Sequence, residues 1–94
     1  MIRHIVFFTA AAAEIDRVRA GLSLLTQIPH ASKLEIGTNV KTDQMANEVD
    51  LVVYGEFADA AALAAYKAHP TYAEATRRVR PLREIRLSAD FEAQ

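Results

Sequence analysis

The opening run Ile2-Arg3-His4-Ile5-Val6-Phe7-Phe8-Thr9 is rich in β-branched and aromatic side chains and reads as a strand. Alternation puts Ile2, His4, Val6 and Phe8 on one face and Arg3, Ile5 and Phe7 on the other, so both faces carry large apolar groups. The period then changes. Ile15, Val18, Leu22 and Leu25 recur at spacings of three and four, which predicts a helix over Ala10 to Gln27. Glu14 and Asp16 suit its positive N-terminal pole, and Pro29 marks its stop. Gly21 costs this helix about 1 kcal/mol relative to alanine, which points to close packing of the helix on the sheet.

A second strand is expected from about Ser32 to Lys41, with Leu34, Ile36 and Val40 on one side and Lys33, Glu35 and Asn39 on the other. After a polar connection from Thr42 to Glu48, the stretch Val49 to Phe57 reads as a strand apolar on both sides, with Leu51, Val53 and Phe57 set against Val52 and Tyr54. Asp59 can cap the helix that follows, because its carboxylate accepts from amides that the first turn leaves unpaired. That helix runs from Ala60 to Ala68, breaks at His69 and resumes from Pro70 to about Val79. Proline disfavours helical geometry in the residue before it and suits the first position of a new helix. Pro81 ends the helix, and a last strand from Leu82 to Phe91 sets Ile85, Leu87, Ala89 and Phe91 against Glu84, Arg86, Ser88 and Asp90.

The order strand, helix, strand, strand, helix, strand predicts an α+β fold over a single domain, residues 1–94. It is the ferredoxin-like βαββαβ arrangement, an antiparallel four-stranded sheet with both helices on one face. If the helices cover the side carrying His4, Val6 and Val53, then Ile5, Phe7, Val52, Tyr54, Ile85 and Leu87 lie bare on the other. An apolar patch of that extent calls for an interface, and a two-fold homodimer through the helix-free sheet face is the economical answer.

Composition narrows the classes of function. The chain has 94 residues, no cysteine and a formal net charge of -1, so thiolate chemistry and disulfides are excluded and no global charge favours nucleic acid or membrane. No apolar run approaches the roughly 18 residues of a membrane helix, and the patterned N-terminus does not resemble a signal peptide. A cytoplasmic location is the expectation. Arg77, Arg78, Arg80, Arg83 and Arg86 fall within ten residues. Glu74 and Glu84 interrupt them, and a helix end complementing its own dipole, followed by charges on a strand, is preferred over an anion site. His4, His30 and His69 lack helical metal-ligand spacing, the three glycines form no phosphate loop, and the third strand lacks the basic signature of RNA-recognition motifs. Neither a metal nor a nucleic-acid partner is expected.

Several stretches resemble the stress-responsive A/B barrel (Dabb) family of the dimeric α+β barrel superfamily. They are Met1-Ile2-Arg3-His4-Ile5-Val6, Asp50-Leu51-Val52-Val53 with Glu56-Phe57 and Asp59, Tyr66-x-x-His69-Pro70, Val79-Arg80-Pro81-Leu82 and Asp90-Phe91. The resemblance spans the chain and implies a homodimeric barrel with a small apolar cavity between sheet and helices. It also implies that a few plant members close polyketide chains without metal or organic cofactor. Those members use a histidine on the first strand, a tyrosine on the second helix and a histidine after the His-Pro pair. His4 matches the first and Tyr66 the second. Tyr72 stands at the third position and His69 is the histidine of the pair itself, which removes that general base from the cyclisation.

Cofactor-free chemistry of this kind needs a base near neutrality and a donor for a developing enolate. His4 and Tyr66 are the catalytic candidates. Val6, Phe8, Val53, His69, Tyr72 and Arg86 are the candidate contacts for a small apolar ligand, with Arg86 as an anion anchor. The competing reading is a non-catalytic, stress-associated structural protein in which His4 and Tyr66 complete the core and His69 braces the helix break. A haem-degrading, monooxygenase-like role is a more distant alternative.

Overall fold

In the computed structural model, which describes all 94 residues, strand β1 (Ile2–Ala10) leads through a 3-10 turn (Ala12–Glu14) into helix α1 (Ile15–Ser23) and a second 3-10 turn (Leu24–Gln27). Strands β2 (Lys33–Thr38) and β3 (Leu51–Phe57), helices α2 (Ala60–Ala68) and α3 (Pro70–Val79) and strand β4 (Arg83–Glu92) complete the chain. The sheet is antiparallel throughout, in the order β2-β3-β1-β4. This is the α+β ferredoxin-like arrangement that the order of elements predicts. Its Cα trace measures 35 × 31 × 16 Å, the thickness of one sheet and one helix layer.

β1 lies in the middle, and its register fixes the layers. Val6 faces Val53 and His4 faces Gly55 on one side, while His4 faces Asp90 and Phe8 faces Arg86 on the other. Strand β3 alternates strictly between buried and half-buried positions, with Leu51, Val53 and Phe57 in the core. Val18, Leu22 and Leu25 bring the first helical segment down on that face, as the stripe predicts. On the opposite face Phe7, Ile85, Leu87 and Phe91 are all exposed, Leu87 by 60 %.

Five expectations are corrected. The first helix does not begin at Ala10. That residue continues β1, pairing with Arg83 and donating its N–H to the Asp50 carboxylate at 3.0 Å, so ladder bonds override its helix propensity. Burial alone would raise the pKa of Asp50, but hydrogen bonds from Lys41 and Ala10 outweigh it and hold this carboxyl below its usual range. The helix also tightens to 3-10 geometry at both ends instead of running on to Gln27. Strand β2 stops at Thr38 and Val40 is 80 % exposed, because the chain turns away from the sheet toward Lys41, whose φ is 55°. Strand β3 starts at Leu51, not Val49, whose carbonyl accepts from the Asn39 side chain in the preceding connection. Finally, Gly21 accommodates helix α3 and not the sheet, since a Cβ there would lie 2.8 Å from Val79 Cγ2.

The break between α2 and α3 is the one expected. Asp59 accepts from Ala62 N–H at 2.9 Å and caps α2. His69 is extended and caps α3, its Nδ1 accepting from Thr71 N–H at 3.1 Å, with Pro70 first in the new helix. The interruption makes three helices of the expected two.

Because Gly21 has no room for a side chain, Gly21→Val is expected to destabilise the fold by about 1–3 kcal/mol through overpacking against α3. A urea midpoint equal to that of the parent chain would refute close α1–α3 packing at this point.

Candidate functional site

The site grows from a missing side chain. Gly55 lies opposite His4, and a Cβ there would come within 2.8 Å of the Phe57 ring and 2.9 Å of Leu34. That vacancy admits a cluster of rings. His4 meets Phe57 and Tyr66 edge-on, each at a centroid distance of 6.1 Å, and Tyr66 packs on Tyr72 at 5.3 Å. Tyr66 comes from the last turn of α2 and Tyr72 from the first turn of α3, so the His69–Pro70 break lets both rings approach the same place.

His4 is the buried polar residue of the core, 1 % exposed, and its partner is across the strand pair. Nδ1 lies 2.5 Å from Asp90 Oδ1, and Lys67 Nζ approaches the other Asp90 oxygen at 4.0 Å. A carboxylate at Nδ1 favours a proton on that nitrogen, which then donates to Asp90. Tyr66 is buried without a partner for its hydroxyl. Burial, and then the neighbouring Tyr72, push its pKa far above the ordinary tyrosine value against a smaller opposing effect of Arg86. The group is therefore a neutral phenol that can donate.

Beside these residues is a cavity of about 290 Å³, lined by 14 residues. His4, Val6, Phe8 and Val53 form its sheet side, and Tyr66 and Tyr72 part of its helix side. Arg86, exposed on β4, also lines it and makes a long 3.5 Å contact with the Tyr72 hydroxyl. His69 is not among the lining residues, and its ring nitrogen is engaged in capping α3. No three of the chain's histidine, aspartate and glutamate side chains come together as metal ligands.

Asp90 and Thr76 escaped sequence reasoning, and Arg80 and Arg83 entered it only within the arginine run, for which a helix end was preferred over an anion site. Asp90 needed the β1–β4 register, although it belongs to the pair Asp90-Phe91 that carries part of the family resemblance. Thr76, Arg80 and Arg83 also line the cavity. Arg83 and Arg86 are three apart, which in a regular strand puts them on opposite faces. A bulge reconciles them: β1 advances from Phe8 to Ala10 while β4 moves from Arg86 to Arg83, and both arginines reach the cavity. Arg77 and Arg78 are committed elsewhere, since their hydrogen bonds hold the Glu74 carboxyl down to about 2.

The model of the stress responsive A/B barrel domain matches residues 2–93. Among solved structures, a dimeric ferredoxin-like protein of unknown function from Jannaschia sp. CCS1 superposes with a TM-score of 0.84 at 23 % identity, covering 98 % of both chains. A Dabb family protein from Mesorhizobium loti gives 0.80 at 27 % identity, over 99 % of this chain and 96 % of that one. An antibiotic biosynthesis monooxygenase gives 0.77 at 18 % identity, over 100 % and 99 %, a likeness of fold alone. No curated protein matches the chain.

The Tyr66 hydroxyl links the site to stability. Its folded pKa is raised, so its contribution is fully present below the unfolded value of about 10 and is lost as pH rises above it, at up to about 1.4 kcal/mol per pH unit. Tyr66→Phe is expected to flatten that alkaline decline in urea titrations and to raise stability at neutral pH by roughly 1 kcal/mol, by removing an unpaired buried hydroxyl. A less stable variant would mean that the hydroxyl is satisfied in solution.

Proposed function

We propose a ligand-processing role for this chain, which belongs to the stress-responsive A/B barrel domain family: it holds a small, mostly apolar molecule in the cavity and moves a proton on it without metal or organic cofactor. The observation that carries the reading is the convergence of buried His4, held by the exposed Asp90 carboxylate, and of Tyr66 with its unpartnered hydroxyl on one mainly apolar cavity. Buried polar groups without partners cost stability, and their presence at a cavity is a functional pointer.

In this reading His4 Nε2 takes a proton from the carbon next to a ligand carbonyl. The electron pair left behind moves to the carbonyl oxygen, and Tyr66 O–H donates to the enolate. Asp90 is a positioning residue. Its carboxylate keeps the proton on Nδ1 and stabilises the imidazolium that forms. The imidazolium then returns the proton, or delivers it to the product.

The chain functions as a homodimer through its helix-free sheet face. Phe7, Ile85, Leu87 and Phe91 supply the apolar surface, and the related protein from Jannaschia is described as dimeric.

Deuterium exchange at the α-carbon of 1-phenylpropan-2-one, followed by NMR, is expected to run faster with the protein than in buffer. His4→Ala should remove roughly 10²–10⁴ of that rate, and Asp90→Asn should reduce it while leaving binding intact. An undiminished rate in His4→Ala would sink the catalytic role.

Light scattering at micromolar concentration is expected to give twice the 10.4 kDa chain mass. Leu87→Glu should shift it toward one chain, and a monomeric parent protein would refute the dimer.

A further inference from the structure

We infer that the molecule held in the cavity is an amphipathic carboxylate, with its apolar body against Val6, Phe8 and Val53 and its carboxylate head among Arg80, Arg83 and Arg86. The inference rests on the ligand-holding reading above and adds the chemical class of the ligand. The arginine bookkeeping carries it. Of eight arginines, Arg17, Arg19, Arg77 and Arg78 are paired with carboxylates of their own helical neighbourhood, and Arg3 lies against the Tyr54 hydroxyl on the other sheet face. The remaining three have no carboxylate partner, and all three line the same cavity.

The helix dipole explains only one of them. Arg80 follows the C-terminal end of α3, where a cation is favoured, but Arg83 and Arg86 belong to β4. Bringing those two to one face takes the bulge in the β1–β4 ladder. Neither an aspartate nor a glutamate lines the cavity, so the cationic end lacks a counter-charge from the protein. A guanidinium presents a planar fork of donors that fits a carboxylate in two-point contact. The rest of the lining is mainly apolar, and a cavity of about 290 Å³ has room for a short chain or a single ring. Tyr66 and Thr76 are the hydroxyl-bearing residues of the lining besides Tyr72.

The test uses octanoate and octan-1-ol, two probes with the same chain and different heads, titrated calorimetrically into the intact protein at low salt. Octanoate is expected to bind at least tenfold more tightly, with the advantage shrinking as salt is raised. Arg80→Gln, Arg83→Gln and Arg86→Gln combined should erase the advantage by weakening octanoate far more than octan-1-ol. Arg86→Glu alone, at an exposed strand position, should weaken octanoate far more than octan-1-ol. Arg77→Gln with Arg78→Gln, one turn away on α3, should preserve the preference. Equal binding of the two probes, or a preference that survives the triple substitution, would overturn the carboxylate assignment while the apolar cavity stands. Failure of both probes to bind would overturn the ligand-holding reading as well.

Discussion

The helix layer does not reach across the whole sheet, and the organisation of the molecule follows from that. α1 and α2 rest on β2 and β3, while β4 is almost entirely exposed along its ten residues. β1 is thus the boundary strand, covered by helices along one side of its inner face and open along the other. His4, Val6 and Phe8 lie on this boundary. Were the helices shifted by one strand, the cavity would be filled and Asp90, Arg83 and Arg86 would be buried at a cost no apolar contact could offset.

Much of the fold was legible because its signals are local. The His69–Pro70 break follows from the sterics of proline and a side chain able to cap, and Asp59 caps α2 for the reason the sequence suggests. The two faces of β1 follow from alternation. Strand ends were less legible, since Ala10 and Val40 depend on where Asp50 and Asn39 place their hydrogen bonds. Gly21 announces close packing but not the identity of the neighbour, which turned out to be Val79.

The candidate site divides along the same line. His4, Val6, Phe8, Val53, Tyr66, Tyr72 and Arg86 meet at one cavity, and alternation and helical spacing suffice to group most of them. Asp90 and Arg83 are invisible to any local pattern. One requires the pairing of strands 86 residues apart in sequence, and the other a bulge that reverses the facing of a side chain. His69 attracted attention because it stands beside a proline, and the proline is the reason its ring is occupied with the backbone of α3.

β4, like β2, is a free edge of the sheet, with one side of its backbone unpaired by any other strand. Long apolar edges invite another chain to add a strand, and charged side chains along the edge discourage it. The apolar Ile85, Leu87 and Phe91 alternate here with charged groups, among them Arg83, Arg86, Asp90 and Glu92. Arg83, Arg86, Asp90 and Glu92 therefore discourage another strand from adding along this edge. A chain that lost those charges would leave Ile85, Leu87 and Phe91 on an edge open to another strand.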